Sequence, residues 1–228
     1  MIRDLTFDFP SGRTVFLGPN GAGKTTVLSL AASVLRPQSG TVGYGRRTTA
    51  RRGDLSAYRR RIAWLPQRTE AVPGLTVREQ VAYVGWLKGM SRSAAWDAAP
   101  GAVRQVELSE KLDRKVGELS GGQQRRVGVA QCLVHDAEAL LLDEPTAGMD
   151  PRQRRVFHDI LATLDRHVLL STHDVADLED SYDHVVVLNA GAIRFSGTVA
   201  EFTALAPADT AYGRRAEAAY YRVTGGGE

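Results

Sequence analysis

Apolar and polar positions alternate near the start of the chain: Leu5, Phe7 and Phe9 are interleaved with Thr6 and Asp8. This period of two predicts a half-buried strand, which Ser11-Gly12 turns into a second strand over Thr14 to Leu17. From Thr25 to about Leu35 the spacing becomes helical, and Pro37 with Gly40 ends that helix before a short strand around Thr41 to Tyr44. Ile62 to Leu65 reads as a further strand. Past about Arg68 the pattern is helical again. Thr76-x-x-Glu79 forms a capping box ahead of Val77 to Met90, and a second helix is expected from Ala94 to Val106, with Pro100-Gly101 as an interruption. A helix from Gln123 to His135, an apolar strand from Ala139 to Leu142, a helix opened by Asp150-Pro151 and a strand from His167 to Leu170 complete the alternation. A helix from Asp174, a hairpin at Asn189-Ala190-Gly191 and a short helix capped by Thr198-x-x-Glu201 follow.

Strands alternating with helices imply an α/β fold with a mostly parallel sheet, a small antiparallel β part and an inserted helical lobe. The expected division is a core of residues 1–67 and 119–205, a helical lobe of 68–118 and a loosely held tail of 206–228 ending in Gly225-Gly226-Gly227. In the lobe, Leu75, Val81, Tyr83, Trp86, Leu87 and Trp96 are expected mostly to pack inside, leaving a subset for docking.

A hydrophobic fraction of 43% over 228 residues supports one substantial core. Cys132 is the single cysteine, which excludes a disulfide framework and thiolate metal chemistry and points to a reducing compartment. No apolar run approaches the roughly 20 residues needed to cross a bilayer, and Met1-Ile2-Arg3-Asp4 lacks an apolar signal region. Any membrane role is therefore expected to be peripheral. The net charge of +3 does not argue for nucleic acid, and the arginines at 46, 47, 51, 52 and 59–61 read as a solvated face.

Gly18-Pro19-Asn20-Gly21-Ala22-Gly23-Lys24-Thr25 is a phosphate-loop pattern set between a predicted strand and a predicted helix, which makes the core one of the P-loop NTPase type. Its glycines let backbone N–H groups wrap phosphates, and the helix N-terminus adds favourable partial charge. Lys24 is placed to hold the β- and γ-phosphates, and Thr25 to put its hydroxyl on Mg²⁺. Leu140-Leu141-Leu142-Asp143 is an apolar strand ending in a carboxylate suited to the same ion, and Glu144 beside it can polarise an attacking water; a solvated strand end is the plainer reading of the pair. His173 follows the strand that starts at His167 and is placed to touch the γ-phosphate or the water. Ser120-x-x-Gln123 is a capping box in its own right, yet Gly121 and Gly122 also expose N–H groups at a helix N-terminus. One nucleotide seldom needs two such anion sites from one chain, so the second is expected to serve a nucleotide held by another copy.

With these motifs in this order, the chain resembles the nucleotide-binding domain of ATP-binding cassette transporters over almost its whole length. Gly18 to Thr25 matches Walker A, Gln67 in Leu65-Pro66-Gln67 the Q-loop, Leu119 to Gln123 the signature, and Leu140 to Glu144 Walker B with its catalytic glutamate. Ala147-Gly148-Met149-Asp150 resembles the D-loop, with methionine where leucine is more usual, and His173 matches the switch histidine. The resemblance implies ATP as substrate, Mg²⁺ held by Thr25, Gln67 and Asp143, further nucleotide contacts from Thr26 and Gln67, and catalysis by Lys24, Glu144 and His173. It also implies a head-to-tail dimer in which Ser120, Gly121, Gly122, Gln123 and Asp150 act on the partner's ATP. A separately encoded transmembrane subunit would dock on the helical lobe, placing the chain at the cytoplasmic face of the membrane. Gly74 to Glu79 and the stretch Ala190 to Gly197 most resemble the ATPase subunits of multidrug and antibiotic exporters.

Non-transport cassettes of DNA repair or ribosome work are the alternative class. They usually carry a long coiled coil, a zinc module or a second cassette, none of which is found in this sequence. One departure concerns the base: the family places an adenine-stacking aromatic in a longer lead-in before Walker A. That platform is expected to be missing or replaced, with Phe7 and Tyr44 as candidates and an upstream start as the other explanation.

Overall fold

The computed structural model describes residues 2, 5–178 and 182–225. Strand β1 (Arg13–Leu17) leads through the glycine-rich loop into helix α1 (Lys24–Ala31). A two-stranded ribbon, β2 (Gly43–Tyr44) and β3 (Arg47–Thr48), precedes α2 (Arg52–Arg61) and β4 (Ile62–Leu65). Helices α3 (Val77–Leu87) and α4 (Arg92–Gln105) come next, then α5 (Gly121–Leu133), β5 (Ala139–Asp143), α6 (Pro151–Thr163) and β6 (His167–Thr172). The hairpin β7 (His184–Asn189) and β8 (Ala192–Thr198) leads into α7 (Val199–Thr203) and α8 (Arg215–Thr224).

Six strands form one sheet in the order β4-β5-β6-β1-β7-β8, parallel throughout except for the β7/β8 hairpin at one edge. Alternate side chains divide between its faces. Val15, Leu17, Leu140, Leu142, Val168 and Leu170 join the apolar cluster that includes α5 and α6, whereas Phe16, Leu141, Leu169 and Val186 join the one built on α1 and Tyr58. Both faces are covered, which explains why these strands read as nearly continuous apolar runs. Because β4, β5, β6 and β1 run in parallel, the segments after Leu65, Asp143, Thr172 and Leu17 all emerge at one edge of the sheet.

Several boundaries differ from the pattern-based expectation. Leu5, Phe7 and Phe9 are half-buried while Thr6 and Asp8 are exposed, as alternation requires, but no strand forms there. The segment lies against the Phe16 cluster, with Phe7 edge-on to Phe9 and Phe9 edge-on to Phe16 at centroid distances of 4.9 and 5.6 Å. Periodicity reports the buried face, not a ladder partner. The arginine-rich segment carries α2, anchored by Tyr58, whose hydroxyl donates to the Ala31 carbonyl.

Pro100 does not break α4. A helical proline leaves the carbonyl four residues earlier without its donor, and Arg78 Nη2 donates to that carbonyl, on Trp96, at 3.3 Å while its guanidinium lies 4.0 Å over the Trp96 ring. Of Leu75, Val81, Tyr83, Trp86, Leu87 and Trp96 only Val81 is fully buried, and Tyr83, Trp86, Leu87 and Trp96 are exposed, a larger apolar surface than expected. After Asp174 there is a single 3-10 turn, Val175–Asp177, and the rest of the expected helix falls partly on residues 179–181, outside the described ones. The expected loose tail is corrected: α8 docks on the hairpin end, with Ala219 fully buried and Asn189 Nδ2 donating to the Thr224 carbonyl at 3.2 Å. Gly226 and Gly227 lie outside the described residues.

Candidate nucleotide site

The glycine-rich loop is shaped by backbone demands. Gly21 and Gly23 adopt φ values of 81° and 106°, and a Cβ on Gly18 would stand 2.3 Å from the Leu188 carbonyl oxygen, so close packing against β7 requires glycine there. Gly23 occupies the N-cap of α1. Lys24 is buried, and its Nζ donates to the loop's own carbonyls on Gly18 and Pro19 at 2.6 and 3.2 Å. Pro19, Asn20, Gly21, Thr25 and Thr26 face solvent around it, and Ala22 packs beneath in the core.

Four more predicted residues meet Lys24 at the carboxyl edge of the sheet. The Glu144 carboxylate lies 3.6 Å from Lys24 Nζ, accepts from Gln67 Nε2 at 3.1 Å and lies 3.3 Å from His173 Nδ1. Burial lowers the Lys24 pKa, and the charges of Glu144 and Asp143 oppose that shift. Asp143 is fully buried; its Oδ1 accepts from Ser171 Oγ at 2.6 Å, and its Oδ2 has no hydrogen-bond partner among the described residues. A buried carboxylate oxygen left open is costly unless a cation or donor completes it. Among the described residues no cluster of three His, Cys, Asp or Glu side chains could hold a metal on its own. A cation here would draw on the Asp143 carboxylate, the Thr25 hydroxyl, Gln67 and oxygens from outside the protein. That set suits Mg²⁺, which keeps few protein ligands and uses phosphate and water for the rest.

Glu144 is itself strained, with φ at +42°, a left-handed conformation that costs a non-glycine residue about 1–3 kcal/mol. Its N–H is met by Ser171 through both carbonyl and hydroxyl, at 3.1 and 3.0 Å.

Ser120, Gly121, Gly122 and Gln123 are not brought into this cluster; among the described residues they make no hydrogen bond to any of its members. Ser120 caps α5 by the predicted box, with Gln123 N–H donating to Ser120 Oγ at 3.4 Å and Ser120 N–H to Gln123 Oε1 at 3.0 Å. With Gly122, Arg126, Gln153 and Asp150 they line a separate cleft, and Asp150 caps α6 by accepting from Gln153 N–H at 2.8 Å. The two glycine-rich helix termini therefore address different spaces.

Neither aromatic candidate for the base is placed to serve. Tyr44 lines a cavity with Gly12, Glu138 and His167, which precede or begin β1, β5 and β6, at the opposite end of the sheet from the phosphate loop. Phe7 packs with Phe9 against the Phe16 cluster.

Beneath His173, pattern reading missed a buried polar network. Asp177 accepts from Thr146 Oγ1 at 2.9 Å and from Thr172 Oγ1, and it lies 3.2 Å from His158 Nε2, whose Nδ1 meets the Tyr182 hydroxyl at 2.9 Å. Arg154 adds an ion pair to Asp174 at 2.6 Å and approaches Asp177 at 3.6 Å. The network ties the segment after Glu144 to the turn that carries His173; only the carboxylate four residues beyond His173 could have hinted at it. Burial opposes ionisation of Asp177, but hydrogen bonds from His158, Thr172 and Thr146 and the pull of His158 outweigh it and hold the pKa below the usual 3.8. A carboxylate depressed on folding stabilises above its unfolded pKa, and the gain is lost as pH falls through the folded value. Asp177→Ala is thus expected to cost about 3 kcal/mol at pH 7, and Asp177→Asn to flatten the loss of stability below about pH 4, both read from urea midpoints. An unchanged acid limb in Asp177→Asn would contradict this.

A family model described as ABC transporter matches residues 2–147. The chain is 34% identical over 203 residues to an uncharacterized ABC transporter ATP-binding protein, YxlF, of Bacillus subtilis, covering 88% of this chain and 66% of that protein. It is 35% identical over 195 residues to the Nod factor export ATP-binding protein I of Burkholderia lata, covering 84% and 64%. It thus spans about two thirds of the length of these relatives. A dimeric bacterial ABC transporter cassette superposes with a TM-score of 0.76 at 25% identity, over 87% of this chain and 90% of that one. No helix among the described residues is long and apolar enough to cross a membrane.

Proposed function

This chain belongs to the ABC transporter family, and from that premise we propose that it binds ATP with Mg²⁺ and hydrolyses it between two copies, driving a separately encoded transmembrane exporter subunit from the cytoplasmic face. One observation carries the reading: Lys24, Gln67, Asp143, Glu144 and His173 converge at one edge, while Ser120, Gly122 and Gln123 line a different cleft. A single chain has both halves of a nucleotide sandwich but cannot close them on one another.

In this mechanism the loop amides from Gly18 to Thr26 wrap the phosphates, and Lys24 leaves its loop carbonyls to pair with the β- and γ-phosphates. Glu144 orients a water against the γ-phosphorus and takes its proton as the new P–O bond forms and the bond to the β–γ bridging oxygen breaks. His173 donates to the γ-phosphate, and Gln67 holds the Glu144 carboxylate until the phosphate arrives. Asp143, Thr25 and Gln67 would hold Mg²⁺, which would supply charge neutralisation for the phosphates. The partner's Walker side is met by Ser120, Gly121, Gly122, Gln123 and Asp150. We assign residues 1–67 and 119–205 to the ATPase core and 68–118 to a lobe whose exposed Tyr83, Trp86, Leu87 and Trp96 offer the membrane subunit an apolar surface.

Phosphate release by the purified chain tests this reading. Turnover per subunit is expected to rise with protein concentration as dimers form and to vanish when Mg²⁺ is chelated. Turnover that survives chelation, or no turnover of ATP at any concentration, would overturn it.

A further inference from the structure

Arg125, one turn into α5, is buried and has a contact for every proton it can donate. Its Nε donates to the Pro145 carbonyl at 3.0 Å, and Nη2 to the carbonyls of Asp143 and Glu144 at 3.2 and 2.9 Å. Nη1 donates to the Pro66 carbonyl at 2.9 Å and to Thr69 Oγ1 at 2.8 Å. The five N–H groups of a guanidinium thus meet five acceptors, on three consecutive residues around Glu144 and on the two sides of Gln67. The approach is permitted by Gly128, one turn along the helix, where a Cβ would stand 2.5 Å from Leu65 Cδ1 and 3.3 Å from Thr69.

We infer that Arg125 is a positioning residue, which fixes the strained backbone of Glu144 and the flanks of Gln67 to the helix that begins at Ser120. The inference rests on the two-site reading above. In that arrangement the Ser120 end of α5 serves the partner's nucleotide, and the Arg125 fork, one turn away, holds the base that serves the chain's own. One rigid fork therefore joins the two nucleotide sites within each subunit. The phosphate loop is not among its partners, so binding and hydrolysis separate when it is lost.

Arg125→Lys is the test, because an ammonium keeps the charge but has at most three donors and no planar fork. Steady-state turnover and the affinity for a fluorescent ATP analogue are measured beside the parent chain. The expected result is a fall in kcat of about 100-fold, the scale of an ångström-level misplacement of a reacting group, with the nucleotide Kd changed by less than about threefold. Unchanged kcat overturns the inference, and so does an equal loss of kcat and affinity, which marks a merely structural residue. Parent turnover is the reference: if the parent is inactive the functional reading fails, whereas an active parent with an equally active variant removes only Arg125. Should Arg125→Lys be unfolded at the assay temperature, Gly128→Ala decides. It pushes α5 off Leu65 and Thr69 with Arg125 intact, and it too must lower kcat while sparing affinity; unchanged kcat there overturns the inference.

Discussion

Glu144→Gln is expected to bind ATP normally, to release phosphate on the order of 100- to 10,000-fold more slowly, and to accumulate as an ATP-bound dimer. The substitution keeps the size of the side chain and its capacity to hydrogen-bond with Gln67, which now donates to Glu144 at 3.1 Å. What is lost is the group that takes a proton. It also removes the negative charge that lies 3.6 Å from Lys24 in the nucleotide-free site, which frees the ammonium for phosphate. With hydrolysis slowed, nothing reopens the sandwich. Single-turnover phosphate release measures the first effect, and light scattering with and without ATP the second. A variant that hydrolyses at the parent rate would remove Glu144 as the base, and one that stays monomeric at saturating ATP would remove the sandwich.

Lys24→Ala should fail earlier in the cycle, at binding. A charge-assisted hydrogen bond contributes about 1.5–3 kcal/mol, so loss of the phosphate contacts corresponds to roughly a 10- to 100-fold loss of affinity, and turnover should fall below detection. The fold should persist, since α1 is anchored by Val27 and Leu28 and not by the lysine. Titration of a fluorescent nucleotide, alongside circular dichroism, separates lost binding from lost structure. Full ATP turnover in a folded Lys24→Ala protein would sink the phosphate-loop assignment.

Elements were legible in the sequence where a local signal and a tertiary demand coincide. The capping boxes at Thr76, Ser120 and Thr198 open α3, α5 and α7 as their spacing requires. The apolar runs at 62–65, 139–142 and 167–170 become parallel strands because both faces of the sheet are covered. The clustered residues Lys24, Gln67, Asp143, Glu144 and His173 were legible for a related reason: each ends or follows a strand or opens a helix, so chain order carries them to one edge. Helix α2 escaped detection because its four arginines mask the few apolar anchors, of which Tyr58 is the buried one. α8 was hidden because its apolar positions are mostly alanine and tyrosine, beside a glycine-rich end. Neither the Arg125 fork nor the Asp177 network has a local signature, since their partners lie 18 to 59 and 5 to 31 residues away, respectively, and are mostly backbone carbonyls or hydroxyls.

The left-handed backbone at Glu144 sets a trap for anyone who would make this protein more robust. Glycine or asparagine would relax that conformation and raise the melting temperature, so an unguided search for thermostable variants will be drawn to position 144. Under the proposed mechanism each such success would be a well-folded ATP binder stripped of its base. On that mechanism, a search scored on turnover would keep the glutamate that a search scored on endurance discards.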